Sequence, residues 1–184
     1  MTCCDSLNRR RGPLRKVEKV RRPKPIPPGP GQESVWDYPR PPRLERSTST
    51  IQVVLGGVTI VETDHSLRVL ETASPPTYYL DPADFVPGVV QPATGESWCE
   101  WKGRASYVDL VAGGIVAQRA AWRYLQPNRA YAPLAGWLAI YPSRVDRCSV
   151  DGEEVRPQDG DFYGGWITSN VLGPFKGEEG TLGW

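Results

Sequence analysis

Hydrophobic residues alternate with polar ones in short stretches between about residues 47 and 172, and tight-turn signals separate these stretches. Gly56-Gly57, Gly113-Gly114 and Asp151-Gly152 each lie between two such stretches, which predicts three β-hairpins. We predict an all-β, mainly antiparallel domain of seven to nine short strands with short helical turns. The predicted strands are 51–55, 58–61, 67–72, 98–102, 106–112, 115–124, 137–141 and the pair 145–150 and 153–155, with further extended chain at 77–80.

The chain ends differ from this β domain at 47–172. Residues 1–30 are basic and rich in proline, which predicts a disordered arm because they cannot bury enough apolar surface to fold. Three interpretations of the arm stay open: a tail without a role, a contact to an anionic surface, and a polyproline II ligand. We predict that residues 31–46 form an extended strap laid over the domain. Residues 173–184 are predicted to form a glycine-rich tail that packs back onto it.

The amino-acid composition and charge exclude some kinds of protein and some kinds of partner. The 184 residues include 19 Gly and 19 Pro, which argues against a helical bundle. Residues 1–46 carry 12 Lys and Arg against 5 Asp and Glu, and the remainder carries 10 against 16. The acidic body argues against nucleic acid as its partner, whereas the basic arm could contact it. No apolar run is long enough for a membrane span.

The four cysteines and the single histidine offer little metal or redox chemistry. Cys3, Cys4, Cys99 and Cys148 lack the paired spacing of a structural zinc site, so we expect no metal. The charged, proline-rich start does not resemble a secretory signal. We therefore expect reduced thiols and a cytoplasmic protein. The residues identify neither a cofactor nor an oligomeric state.

Glu71 is the first candidate for chemistry. In a strand over 67–72, Leu67, Val69 and Glu71 share one face, and Arg68 lies on the other. A carboxylate in line with apolar residues is either paired with a cation or used in proton transfer. The alternative is a glutamate at the rim of the sheet.

The segment 98–102 supplies the second candidate, Lys102. In a strand, Trp98, Glu100 and Lys102 would share a face, with Cys99 on the other. A lysine between aromatic residues could bind an anion, although lysine is also a common surface residue. Cys99 is interpreted as a buried filler rather than a nucleophile.

Aromatic residues suggest a pocket near these two charges. Tryptophan and tyrosine together outnumber phenylalanine, with seven Trp and eight Tyr against three Phe. Both keep a polar group and often line ligand pockets, although most aromatic residues simply fill cores. The candidate wall residues are Tyr79, Tyr107, Trp122 and Tyr124, with Arg68 ranked below them because a bulge would be needed to bring it in.

Several motifs together resemble one known family. They are 68–72 (RVLET), 75–79 (PPTYY), 99–103 (CEWKG) with Ala105 and Tyr107, and 120–124 (AAWRY) with Pro127. Their order and spacing over 51–155 resemble the family of domain of unknown function 427. The strap and the ending 162–177 look like the cyanobacterial branch of that family, which extends the resemblance to 31–184.

The resemblance implies a β-tent-like fold in which two antiparallel sheets meet along one edge, without the zinc of related folds. The family also carries a nucleotidyltransferase-like label, but no set of metal-binding carboxylates beside a phosphate loop supports it here. One position departs from the family pattern. Ser74 stands where the family usually has histidine, so a general base at that position is absent from this chain.

These observations favour a protein that binds a small molecule in an aromatic pocket, with Glu71 and Lys102 as its charged pair. Lys102 would either hold Glu71 ionised or bind an anionic group of the ligand. The first alternative is an enzyme in which Glu71 is the acid or base and Lys102 stabilises charge. The second is an interaction module that uses the arm and the strap.

Overall fold

The computed structural model describes residues 23–160, 162–177, 180, 181 and 184. Strands dominate it, so the prediction of an all-β, mainly antiparallel protein is confirmed. The predicted disordered arm falls mostly on 1–22, which lie outside the described residues. None of the helices in the described part has the length and apolar character that crossing a lipid bilayer requires.

The regular elements of the described chain are short. The strands are β1 (Glu33–Ser34), β2 (Arg43–Ser47), β3 (Ile51–Leu55), β4 (Val58–Thr63), β5 (Ser66–Leu70), β6 (Thr77–Leu80), β7 (Val90–Cys99), β8 (Gly103–Ala112), β9 (Ile115–Arg123), β10 (Leu138–Ile140), β11 (Arg147–Val150), β12 (Glu153–Glu154), β13 (Arg156–Pro157), β14 (Trp166–Ile167) and β15 (Val171–Leu172). Short 3₁₀ helices span Pro82–Asp84, Arg129–Leu134 and Pro142–Arg144. The first is capped at its start by Asp81, whose side chain accepts a hydrogen bond from the Ala83 N–H.

Two antiparallel sheets carry the fold. The larger has seven strands in the order β2-β5-β6-β10-β9-β8-β7, and the smaller has four in the order β12-β11-β3-β4. The three predicted hairpins are confirmed as β3–β4, β8–β9 and β11–β12. Two sheets are also what the family resemblance implies.

Side-chain alternation gives the seven-stranded sheet two different faces. Tyr78 and Leu80 on β6 point toward the four-stranded sheet and join the main core with its residues, such as Ile51 and Val53. Tyr79, between them, points the other way. The second cluster on that face is apolar but rich in aromatic residues: Leu67, Val69, Tyr79, Ala105, Trp122, Tyr124, Tyr131, Leu134, Ala139 and Tyr141.

The strap and the C-terminal segment pack on each other. β1 pairs with β15 in parallel, and the indole of Trp36 donates a hydrogen bond to the Pro174 carbonyl at 2.9 Å. The rings of Trp36 and Trp184 lie 5.8 Å apart. The C-terminal segment also reaches the β domain, where the Lys176 N–H donates to the Ala73 carbonyl at 2.7 Å. These contacts hold both segments beside the start of the turn that follows β5.

The predicted strand over 98–102 is wrong. β7 ends at Cys99, residues 100–102 form a turn, and β8 begins at Gly103, which is paired with Cys99. The face assignment made for Trp98, Glu100 and Lys102 therefore does not hold. The true strand, β7, starts eight residues earlier at Val90, and its register shifts between Pro92 and Glu96.

Candidate functional site

A cavity of about 410 Å³ lies on the aromatic face of the seven-stranded sheet. Strand residues form its floor, the β7–β8 turn forms one wall, and the C-terminal segment forms another. Trp98 is 71% exposed and Phe162 63%, so both lie at its mouth. The lining residues are Val69, Glu71, Ser74, Pro75, Thr77, Tyr79, Ser97, Trp98, Cys99, Glu100, Trp101, Lys102, Trp122, Tyr124, Tyr141, Gln158, Phe162, Tyr163, Gly164 and Lys176.

Four aromatic side chains form the interior surface of the cavity. The rings of Trp122 and Tyr141 lie 4.4 Å apart, and the Tyr79 ring lies 6.3 Å from Trp122 and 6.4 Å from Tyr124. Burial is the main cause that raises the pKa of Tyr79 and of Tyr124 well above the usual range, and it raises the pKa of Tyr141 to about 12. All three phenols are therefore protonated at neutral pH and can donate hydrogen bonds to a molecule in the cavity.

Lys102 is the most unusual residue of the site. It ends the β7–β8 turn and is only 7% exposed, and its backbone carbonyl accepts a hydrogen bond from the Asn128 N–H at 3.1 Å. Its Nζ lies 5.9 Å from the ring centres of both Tyr124 and Tyr131. Among the described residues, no carboxylate lies within 4.0 Å of this ammonium. Lys102 is one of the residues that line the cavity.

Glu71 lines the same cavity but has another partner. It follows β5 and opens a turn closed by a hydrogen bond from the Ser74 N–H to the Glu71 carbonyl at 3.0 Å. Its carboxylate is 3.2 Å from the guanidinium of Arg40, a strap residue. The two charged residues singled out in the sequence thus line one cavity without forming an ion pair with each other.

Three of the remaining sequence candidates line the cavity, whereas Tyr107 and Arg68 lie outside it. Tyr79, Trp122 and Tyr124 line the cavity. Tyr107 lies on the same face, opposite Trp122 in the β8–β9 register, but one strand further out and outside the cavity lining. Its ring contacts the Arg119 guanidinium at 5.7 Å instead.

Arg68 lies on the other face of the sheet, as strict alternation requires. It pairs with Glu33 at 2.6 Å and with Glu45 at 2.5 Å. No bulge in β5 brings it to the aromatic face, because its register with Tyr78 is regular. Its role is to join the strap to the sheet, and it does not contribute to the cavity.

Sequence reasoning did not assign the wall that the C-terminal segment supplies. Lys176 lines the cavity, and its Nζ lies 5.1 Å from the Tyr163 ring. Gly164 lies against Trp122 so closely that an added Cβ would be 2.3 Å from the indole Cη2. Gln158 fixes this segment by accepting from the Gly165 N–H and donating to the Lys176 carbonyl. The sequence predicts that 173–184 packs back onto the domain, but no local pattern indicates which side chains of this segment line the cavity.

Ser74 also lines the cavity. It is the position at which the family resemblance would imply a histidine. Within the described residues, no three His, Cys, Asp or Glu side chains are grouped so that they could hold a metal ion.

Comparison of the sequence with known proteins gives one result. Residues 43–151 match the model of a family described as Domain of unknown function (DUF427). A comparison with curated proteins finds no match. The matched region contains the aromatic floor, Glu71 and the β7–β8 turn with Lys102, whereas Phe162, Tyr163 and Lys176 lie beyond it. Because the match covers more than half of the chain, the protein belongs to the DUF427 family.

Proposed function

We propose that this protein binds a small organic anion with an aromatic or apolar body in the cavity, and that Lys102 binds the anionic group. One observation carries the proposal. Lys102 is only 7% exposed and lines an aromatic cavity, and no described carboxylate lies within ion-pair distance of its ammonium. Glu71, Tyr79, Trp122 and Tyr124 are the other proposed ligand-binding residues.

The energetics of burial support this role for Lys102. Moving an ammonium out of water costs several kcal/mol unless another group compensates. The two tyrosine rings give partial compensation, but 5.9 Å is close to the limit of about 6 Å for a useful cation–π contact. An anionic ligand would supply a partner that none of the described residues supplies, and a charge-assisted hydrogen bond contributes about 1.5–3 kcal/mol.

The position of Glu71 supports the same assignment. If Lys102 served to hold Glu71 ionised, the two would be paired, yet Glu71 is paired with Arg40. Lys102 is thereby left for a ligand. An ion-paired carboxylate accepts hydrogen bonds, so Glu71 is suited to bind a hydroxyl or N–H group of the ligand beside its anionic end.

The walls indicate what kind of molecule carries the anion. Rings of Tyr79, Trp122 and Tyr124 offer flat apolar surface, and their phenol and indole groups add a few polar contacts. A cavity of about 410 Å³ is within the range of small-molecule sites. An inorganic anion alone would leave most of this surface without contact.

Two fluorescent dyes with the same ring system test the proposal. 8-Anilinonaphthalene-1-sulfonate carries a sulfonate, and N-phenyl-1-naphthylamine lacks it. Titration of the full chain should give tighter binding of the sulfonate dye. Lys102→Met should weaken binding of the sulfonate dye about tenfold, which corresponds to about 1.4 kcal/mol, and should change the affinity for the neutral dye by no more than about twofold.

Lys24→Met is the matched control, because Lys24 is exposed and lies outside the cavity lining. It removes the same charge and should change neither dye. Thermal unfolding of each variant checks that the fold is kept. The proposal would be overturned if both substitutions weakened binding of the sulfonate dye equally, or if Lys102→Met did not weaken it.

A further inference from the structure

Cys99 lines the same cavity and has no role in the proposed binding of an anion. It is the last residue of β7, and its thiol is free and half-buried. The other described cysteine, Cys148, is also free but only 2% exposed, and burial raises the pKa of its thiol. Of these two thiols, only Cys99 can meet a molecule that enters from solvent.

The β7–β8 turn brings Lys102 to the same place. Cys99 is paired with Gly103, so the turn folds back over three residues and Lys102 stands next to the end of β7. Cys99 packs against the apolar cluster that contains Tyr124 and Tyr131, the two tyrosines whose rings flank the Lys102 Nζ. Cys99, Tyr124 and Lys102 therefore lie together at the cavity.

We propose that Cys99 is a covalent modification site that prefers small carboxylates bearing an electrophilic carbon. The preference rests on the proposed anion site, because Lys102 would hold the carboxylate while its electrophilic carbon meets the sulfur. This assigns Cys99 a nucleophilic role that the sequence did not indicate.

The reaction with an α-halo carboxylate needs no further reactant. The thiol loses its proton to solvent, the sulfur forms a bond to the α carbon, and the carbon–halogen bond breaks. Halide leaves with the bonding electron pair, and a thioether remains. No oxidation or reduction takes place.

Iodoacetate and iodoacetamide test the preference, because they deliver the same electrophilic carbon with and without a charge. The full chain carries Cys3→Ser and Cys4→Ser, so that only Cys99 and Cys148 can react. Mass spectrometry of the peptide that contains Cys99 gives both rates. The ratio of the iodoacetate rate to the iodoacetamide rate should be about tenfold higher in the folded protein than in urea.

Two substitutions should move that ratio in opposite directions. Lys102→Met should bring it back to the value in urea while the iodoacetamide rate stays within about twofold. Glu100→Gln should raise it, because Glu100 lines the cavity in the same turn and repels an anion. Lys24→Met is again the matched control and should leave it unchanged.

Three results would overturn the proposal: no labelling of Cys99 in the folded protein, a ratio equal to that in urea, or a ratio that Lys102→Met does not change. If the dye titrations still depend on Lys102 in that case, the anion site stands and only the role of Cys99 is rejected. If neither experiment depends on Lys102, the proposed function fails as well.

Discussion

Gly164→Ala should narrow the cavity through a single added methyl group. The ideal Cβ at this position would lie 2.3 Å from Cη2 and 2.7 Å from Cζ3 of Trp122, and 3.4 Å from Cδ1 of Tyr141. Approaches under 3.0 Å do not persist, so the indole or the C-terminal segment must shift. Gly164 has no positive φ, so the substitution tests packing alone.

The size of the effect follows from how tightly the indole is held. Trp122 is 9% exposed, and its ring is 4.4 Å from that of Tyr141, which leaves little room for a rotation. Overpacking of this kind costs about 1–3 kcal/mol of unfolding free energy. For a chain of this length, that lowers the melting temperature by about 2–12 °C.

Thermal unfolding and the two dyes measure the result together. Because a displaced indole alters the shape of the cavity rather than its charge, Gly164→Ala should weaken the sulfonate dye and the neutral dye by similar factors. Lys102→Met should weaken the sulfonate dye alone. Gly29→Ala is the matched control, since its Cβ would meet only the end of the flexible Gln32 side chain, at 3.2 Å.

A double-mutant cycle decides whether the clash is with Trp122. Trp122→Phe removes the ring atoms nearest to the added methyl group, so Gly164→Ala should cost less in that background, with a coupling of about 1 kcal/mol. Equal stability of Gly164→Ala and the natural chain, or strictly additive effects in the cycle, would refute the packing argument.

Three further substitutions give separate checks. Arg68→Met should lower the unfolding free energy by about 1–3 kcal/mol in urea titrations, because Glu33 and Glu45 lose a half-buried partner, while dye binding stays unchanged; loss of dye binding would contradict its position outside the cavity. The pKa of Tyr141 is raised to about 12 in the folded protein, so this phenol ionises more easily in the unfolded chain and its contribution to the free energy of unfolding, which is present below pH 10, is lost between about pH 10 and 12. Tyr141→Phe should therefore reduce the fall in the free energy of unfolding between pH 8 and pH 11. Urea titrations that give the same fall with and without the substitution would contradict this. Ser74→His should make binding of the sulfonate dye tighten as the pH falls from 8 to 5.5, because an imidazolium adds positive charge at the cavity wall; an identical pH profile in the natural chain would contradict that placement.

The sequence was most informative where local chemistry decides the structure. The glycine pairs at 56–57 and 113–114 and the Asp151-Gly152 step specify two-residue turns, so the hairpins could be located. Alternation also placed Arg68 on the face opposite Leu67 and Val69, which the register of β5 bears out, whereas Glu71 lies beyond the end of that strand, in the turn that follows. Including Arg68 among the wall residues went against that same alternation.

The strand β7 was missed because its residues carry no strong strand signal. Pro92, Gly95 and Glu96 interrupt it, and it is an edge strand with a register shift, so most of its residues are exposed. The apolar–polar alternation from Trp98 to Lys102 then resembled a strand, although it spans a strand end and a turn. Lys102 therefore lies in the turn after β7 and not in the strand that the pattern predicted.

Long-range contacts explain the rest. Arg40 reaches Glu71 across 31 positions of the chain, and Lys176 returns to a wall built by residues near the middle of the sequence. Neither contact depends on local periodicity, so only the folded structure could place them. Glu71 pairs with Arg40, and among the residues that the structure describes no other carboxylate pairs with Lys102.

A crystal structure of the full chain with 8-anilinonaphthalene-1-sulfonate tests the central claim most directly. The account predicts a sulfonate oxygen within hydrogen-bond distance of the Lys102 Nζ and dye rings against Trp122 and Tyr124. Dye bound elsewhere, or a Lys102 ammonium that pairs with Glu71 while the cavity stays empty, would contradict it.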